Sequence, residues 1–175
     1  MISIREKFGA KLRSLPIHGF EGSSASDYGP APMPVCEDEI VAFEAAIGTR
    51  LPDSYRQFLL EIGSACFGAT CVWPIETCYG DREHFNTSYG GREEETNGLW
   101  WNRAMFADRI TEPLIPIGGD GYGDQFCLAV TGRDCGKIFF WCMGEGKNYL
   151  AADSFDDFLN RLGPDPGTWP AVLCE

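Results

Sequence analysis

Four stretches of the chain place apolar side chains three or four residues apart, which is the spacing of an amphipathic helix. In chain order the apolar positions are Ile4, Phe8, Leu12 and Leu15; Ile40, Phe43 and Ile47; Tyr55, Phe58, Leu59 and Ile62; and Phe155, Phe158, Leu159 and Leu162. Pro16, Gly48 and Gly63 end the first three helices. Ser154 and Asp157 form a capping box that begins the fourth. The second and third helices therefore form a short helical hairpin.

Between the third and fourth helices the hydrophobic period shortens towards two, as in β-strands. Strands are predicted at Phe67 to Trp73, Leu114 to Ile117, Gln125 to Val130 and Lys137 to Trp141. The last two are apolar on both faces, which predicts a central hairpin covered by helices. The order predicts an α+β fold with N-terminal helices, a central and mostly antiparallel sheet, and a closing C-terminal helix.

A length of 175 residues fits one domain, which we assign to residues 1–175. Residues 18–34 are rich in Gly, Ser and Pro and indicate a surface loop or arm, and residues 163–175 indicate an irregular tail. The longest apolar run, Ile138 to Met143, is far shorter than the roughly 18 residues of a membrane helix. The charged N-terminus has no secretory pattern, so we expect a cytoplasmic protein with reduced thiols.

Net charge changes the picture of the surface. The chain has 14 Lys and Arg against 26 Asp and Glu, which gives a net charge of -12. A nucleic-acid backbone would be repelled by this field, which argues against direct nucleic-acid binding. A basic protein would be attracted and steered towards the surface.

Metal and catalytic chemistry find little support in the residue types. No two of the eight cysteines lie within four positions of each other, so the Cys-x2-Cys pairs common in zinc sites are missing, and we predict no metal or cofactor and expect buried thiols. The chain has only two histidines, and His84 lies near Asp81 and Glu83 without a recognisable nucleophile motif. The sequence therefore predicts a protein that is not an enzyme.

Several short motifs occur in a familiar order. They are Glu39-Ile40 to Gly48, Leu51-Pro52-Asp53-Ser54-Tyr55 to Leu59, Leu114-Ile115-Pro116-Ile117, Gly119-Asp120-Gly121-Tyr122-Gly123-Asp124-Gln125 to Leu128, and Ala151 to Leu159. Over about residues 37–162 the chain resembles the SUKH superfamily, in the branch related to the fungal cell-wall assembly regulator. The resemblance implies a bacterial immunity protein that binds and neutralises a toxin of a polymorphic or contact-dependent system, often a nuclease. The stretch from Tyr79 to Ala107 is not dictated by the family pattern.

Two segments are candidates for partner contact. The loop Gly118 to Asp124 lacks the Lys and Ser/Thr of a phosphate loop and the acid spacing of a calcium loop. Asp120, Tyr122 and Asp124 therefore either contact a partner or form a turn in which glycines supply positive φ and Asp bonds to local backbone. In the second reading, replacing either Asp by Asn costs stability.

The second segment joins an acidic run to adjacent tryptophans. Glu93, Glu94 and Glu95 precede Trp100 and Trp101. A charge run is usually a solvated face, and one tryptophan can anchor the loop in the core. If the pair lies on a strand, the two rings point to opposite faces and one is available to a basic partner.

Two other functions remain open at this point. One is an adaptor or regulatory scaffold that binds endogenous proteins, and a homo-oligomer is compatible with the sequence. The other is a carbohydrate hydrolase that uses Asp120 and Asp124, for which the two carboxylates must lie roughly 5 Å or 6.5–9.5 Å apart. Gene neighbourhood separates an immunity protein from an adaptor, because only the former is expected beside a toxin gene.

Overall fold

The computed structural model describes residues 2–14, 34–63, 65–67, 70–73, 75, 98–111, 113–120 and 122–162. The helices and strands within these ranges are α1 (Ile4–Ser14), α2 (Glu37–Ile47), α3 (Asp53–Glu61), β1 (Ala65–Phe67), β2 (Thr70–Val72), α4 (Leu99–Met105), β3 (Leu114–Gly119), β4 (Gln125–Ala129), β5 (Ile138–Cys142), β6 (Lys147–Ala152) and α5 (Phe155–Arg161). The predicted α+β fold is confirmed. Apart from Pro34, the predicted arm at 18–34 and the tail at 163–175 lie outside the described residues.

Local signals set the boundaries of the predicted helices. The cap Gly48 has the left-handed φ of +71° and donates its N–H to the Glu44 carbonyl, which ends α2. Pro52 precedes α3. The Ser154 hydroxyl accepts the Asp157 N–H at 3.0 Å and begins α5. These three helices therefore lie where the sequence predicts them.

The helical hairpin is fastened by a partly buried ion pair. Glu44 Oε1 accepts the Leu51 N–H at 2.9 Å and the Arg56 Nε at 3.2 Å. The Arg56 guanidinium also pairs with Glu37, and this hydrogen bond holds the pKa of Glu37 below its ordinary value. One arginine of α3 therefore contacts both ends of α2.

The strands form one antiparallel meander in the order β1-β2-β3-β4-β5-β6. The segment predicted as a single strand from Phe67 to Trp73 is instead part of a hairpin, since Cys66 pairs with Cys71 across β1 and β2. The two strands, β1 and β2, have three residues each and pair antiparallel. The sequence pattern is too short to distinguish one strand from such a tight hairpin. The strand β6, which the sequence analysis does not predict, pairs antiparallel with β5.

Both faces of the sheet are covered. On one face, Phe126 and Phe140 pack in the main core, where Phe155 lies 5.1 Å from Phe58, ring centroid to ring centroid. On the other face a smaller cluster contains Ile110, Cys127 and Trp141. The strand β4 is buried along its whole length, as predicted for a central hairpin covered by helices. In the described part of the chain, no helix is long and apolar enough to cross a membrane.

Candidate partner-binding site

The β3–β4 loop is held by hydrogen bonds from its own backbone. Gly119 pairs with Gln125 where the two strands end, and the Asp120 N–H donates to the Asp124 carbonyl at 3.4 Å. Asp120 Oδ1 accepts the Tyr122 N–H at 2.8 Å. This is the turn in which an Asp bonds to backbone two residues on, one of the two readings of the motif.

Burial gives Asp120 an electrostatic cost. The residue is only 5% exposed. Loss of solvation raises the pKa of Asp120 above its ordinary value, and the neighbouring Asp124 charge acts in the same direction. The bond from the Tyr122 N–H opposes that shift without cancelling it. Asp120 therefore supports the loop from inside and presents little surface.

Asp124 joins this loop to the next turn along the sheet. Its Oδ1 accepts the Met143 N–H at 2.8 Å. Met143 begins the turn between β5 and β6, and it touches the loop again at Gly123. Gly123 has a φ of +106°, which favours glycine, and a Cβ there would lie 2.8 Å from Met143 Cε, so the methionine side chain would also have to shift.

The base of the loop is equally close-packed. Gln125 is 5% exposed and donates from Nε2 to the Gly123 carbonyl at 2.9 Å. A Cβ on Gly119 would lie 3.1 Å from Cζ2 of Trp73 and 3.2 Å from the Asp124 carbonyl. The indole of Trp73 therefore approaches the backbone of β3 because Gly119 has no side chain.

Two large side chains project from this frame. Tyr122 is 80% exposed and Met143 is 48% exposed. Because the Asp124 carboxylate joins their two turns, we call Tyr122, Met143, Asp120 and Asp124 the loop-end site. Three of these residues occur together in one sequence motif, whereas Met143 lies 19 residues after Asp124 and is not predicted. Only the register of β4 on β5 brings it there, since Gln125 pairs with Trp141.

Charge at the loop end is mainly negative. Glu145 follows Met143 in the same turn, and its Oε2 accepts the Tyr149 hydroxyl at 2.6 Å and the Lys147 ammonium at 3.2 Å. These bonds hold the pKa of Glu145 below its ordinary value, the Tyr149 bond having the largest effect. An exposed aromatic ring, a thioether and neighbouring carboxylates suit contact with a cationic protein surface.

Catalysis or metal binding receives no positive support from this geometry. One oxygen of Asp120 and one of Asp124 accept backbone N–H groups, as supports of a turn do. Across the described residues, no group of three or more His, Cys, Asp or Glu side chains is arranged to hold a metal ion.

The tryptophan pair lies on a helix, so the condition under which the two rings would point to opposite faces of a strand is not met. Trp100 and Trp101 belong to α4, and the Trp100 ring meets Phe43 of α2 edge to face, with centroids 5.0 Å apart. Trp100 is partly buried against the main core. Packing of α2 on α4 thus accounts for this ring, and partner contact by Trp100 stays a prediction. The side chain of Trp101 and residues Glu93, Glu94 and Glu95 lie outside the described part of the structure.

The expectation of buried thiols is only partly correct. Cys127 is fully buried, and burial raises the pKa of its thiol. Cys36 and Cys135 are exposed. Cys36 is exposed because it caps α2, where its thiol donates to Glu39 Oε2 at 3.0 Å, and Cys135 lies in the turn after β4. Both exposed thiols therefore lie outside the interiors of helices and strands, one at a helix cap and one in a turn.

A match to the SMI1 / KNR4 family (SUKH-1) covers residues 34–161. The chain is also 25% identical over 158 residues to the SPbeta prophage-derived uncharacterized protein YokK of Bacillus subtilis (strain 168). This alignment covers 80% of the chain and 81% of that protein. The family match begins just before α2 and ends with α5, so it includes the loop-end site and leaves α1 outside.

Proposed function

The chain belongs to the SMI1 / KNR4 family (SUKH-1), and we propose that it is an immunity protein that binds and neutralises a basic toxin in the cytoplasm. It acts by occlusion, with no chemistry of its own. The family resemblance implies this role, and the loop-end site supplies a surface that suits it. A nuclease is the toxin class that the resemblance favours.

The observation that carries the proposal is the exposure of Tyr122 and Met143 on a fixed frame. Tyr122 is 80% exposed although its own N–H is held by the buried Asp120. Met143 is fixed in the same way by Asp124. Side chains whose backbone is already ordered lose less entropy on binding than side chains of an unstructured loop. They therefore suit the role of interface anchors.

Electrostatics supports a basic partner. The net charge of -12 raises the rate of encounter with a cationic surface, and salt weakens that effect. Asp120 is buried, so the carboxylates that can occupy the phosphate sites of a nuclease are exposed ones near the anchors, such as Glu145 in the turn of Met143. The barnase–barstar complex is an established example of this logic.

The direct test is co-purification of the tagged full-length protein with the product of the toxin gene beside its own. We expect a stable complex and protection of cells that express the toxin. Tyr122→Ala and Met143→Ala should each accelerate dissociation about 5- to 30-fold, since truncation of an anchor costs about 1–2 kcal/mol. Surface plasmon resonance would measure both rates.

Val41→Ala is the matched control, because Val41 is 50% exposed and lies on α2, outside the loop-end site and away from the tryptophan pair. Its dissociation rate should equal that of the parent. A toxin that neither binds nor is neutralised would refute the immunity role. If neither Tyr122→Ala nor Met143→Ala changed the dissociation rate, the loop-end site would be refuted while the immunity role stood.

A further inference from the structure

The helix α1 is attached to the domain through basic side chains. Arg5 donates from Nε to the Glu61 carbonyl at 2.9 Å, and its guanidinium makes a second bond to the same oxygen. Lys7 pairs with Asp156 Oδ2 at 2.9 Å, and the Lys11 ammonium donates to the Asn160 carbonyl. Successive cations along α1 therefore contact α3 first and α5 next.

The carbonyls that receive these cations belong to helix ends. Glu61 is the last residue of α3, and Asn160 lies in the last turn of α5. The final four carbonyls of a helix have no partner within it, and the C-terminus carries partial negative charge. Arg5 and Lys11 thus satisfy acceptors that two neighbouring helices leave open.

A carboxylate in the same place also depends on a cation. Asp156 Oδ1 is buried, and no hydrogen-bond partner for it lies among the described residues. The other oxygen of Asp156 is paired with Lys7. The Asp156 side chain as a whole is 33% exposed, so solvent screens its charge in part, and its negative charge favours a cationic side chain at this position.

Two apolar side chains complete the contact. Ile4 is fully buried and Phe8 is 6% exposed, and both join the main core. They are four residues apart, so they lie on one face of α1 with the cations beside them. We call the surface made by Glu61, Asp156 and Asn160, together with the core beneath Ile4 and Phe8, the α1 seat.

The helix that occupies the seat, α1, differs from the rest of the chain in family coverage and in charge. The family match begins at residue 34, and residues 15–33 separate α1 from it. The sequence of α1 contains four basic residues, Arg5, Lys7, Lys11 and Arg13, and a single acid, Glu6, although the whole chain has a net charge of -12. An isolated helix of 11 residues is marginal in water, so α1 owes its helical form to docking.

We propose that the α1 seat is a docking site for a basic amphipathic helix of a protein partner, and that α1 fills it in cis until the partner helix displaces it. The partner helix must present two apolar residues four apart with cations at the flanking positions. Because α1 belongs to the same chain as the seat, it competes as an intramolecular ligand, so α1 sets the threshold for the partner. The proposal does not depend on the loop-end site or on the toxin role.

The test uses a fluorescent peptide of residues 2–14 as the probe and the full-length chain as receptor. Arg5→Glu with Lys7→Glu weakens docking in cis while leaving Glu61 and Asp156 in place. We expect the peptide to bind this double variant at least 10-fold more tightly than the wild type, and 0.5 M salt to weaken that binding. A peptide with Phe8→Ala should lose most of its affinity, because one of the two apolar contacts is gone.

Arg50→Glu with Lys147→Glu is the control for charge, because these exposed cations pair with Asp53 and Glu145, away from the seat. It changes the net charge equally and should bind the peptide as the wild type does. Equal binding to both double variants, or no saturable binding to the folded Arg5/Lys7 variant, would overturn the proposal.

Hydrogen exchange of the wild type covers the case in which the double variant fails to fold. We expect the amides of α1 to exchange faster than those of α3, and added salt to accelerate α1 alone. Exchange of α1 only through global unfolding at every salt concentration would overturn the proposal. A wild-type dimer that the double variant abolishes would assign the seat to α1 of a second copy and would also overturn it.

Discussion

At the residue scale, the backbone conformation of Gly123 lets the loop approach Met143 in the loop-end site. Gly123→Ala forces a side chain into a left-handed conformation and against Met143 Cε. We expect a loss of about 1–3 kcal/mol in the free energy of unfolding, measured by urea denaturation. Gly146→Ala is the matched control, because Gly146 also has a positive φ, of +64°, but a Cβ there meets nothing within 4 Å. Equal losses in the two variants would contradict the packing of Gly123 on Met143.

Asp120→Asn tests the cost of the buried carboxylate. The folded pKa of Asp120 is raised, so its ionised form opposes folding at neutral pH, and that penalty disappears as pH falls through the raised pKa towards the ordinary value of 3.8. Asn keeps an oxygen that can accept the Tyr122 N–H. The variant should therefore melt level with or above the parent at pH 7, and its advantage should shrink near pH 4.

This expectation revises the one drawn from the sequence, which gives a loss of stability for both Asp120→Asn and Asp124→Asn. A turn motif shows that an Asp can bond to backbone, but it does not show how deeply that Asp is buried. For Asp124→Asn a stability loss remains expected, because the Met143 N–H loses a charged acceptor. Thermal melts of both variants at pH 7 would separate the two residues, and a large loss for Asp120→Asn would contradict the burial argument.

At the scale of elements, the α2–α3 hairpin meets α5 through aromatic rings. Phe58 is fully buried, and its ring lies edge to face on Phe155 at 5.1 Å. Phe58→Ala should lower the free energy of unfolding by about 3–5 kcal/mol, since it leaves a cavity where α3 and α5 meet. Chemical denaturation measures this loss. The control Val41→Ala, on the exposed side of α2, should change stability by less than about 0.5 kcal/mol.

Elements with a complete local signal are those that the sequence predicts. In α2 and α5 the apolar spacing, the cap and the acidic first turn all agree, and both helices form where expected. Helix α4 and strand β6 lack that agreement. The first residues of α4, Leu99-Trp100-Trp101, carry no helical period, and β6 has three exposed positions, Lys147, Asn148 and Leu150. Packing on β3 and pairing with β5 determine them, and a local pattern contains neither contact.

The same limit applies to the loop-end site. Asp120, Tyr122 and Asp124 occur in one short motif, so the sequence can group them. Met143 and Gly123 meet only because β4 and β5 pair in one particular register. When strand register brings a side chain to a site, no local motif predicts that contact. The one local feature of Met143 is that it is an apolar residue at the start of a turn.

For the whole molecule, the distribution of charge is the property that most affects association. Residues 76–97 hold six acidic and two basic side chains, among them Glu93, Glu94 and Glu95. Like charges repel one another in the unbound protein, and the same charges attract a basic partner from a distance. Acids that serve only the partner therefore differ from acids such as Glu44, which hold helices together.

The whole-molecule prediction follows from that difference. Changing Glu93, Glu94 and Glu95 together to Gln should leave the melting temperature level or slightly raised, because three repelling charges are removed. Association with the basic toxin should slow, and added salt should slow the variant less than the parent, since part of the steering field is already gone.

The control changes the exposed acids Asp38, Asp108 and Asp153 to Asn, which removes the same charge elsewhere. Stopped-flow association rates across a salt series measure both effects. If the two triple variants slow association equally, the total field steers the partner and the acidic run has no local role. If neither variant changes the rate or its dependence on salt, electrostatic steering is wrong, even where the complex still forms.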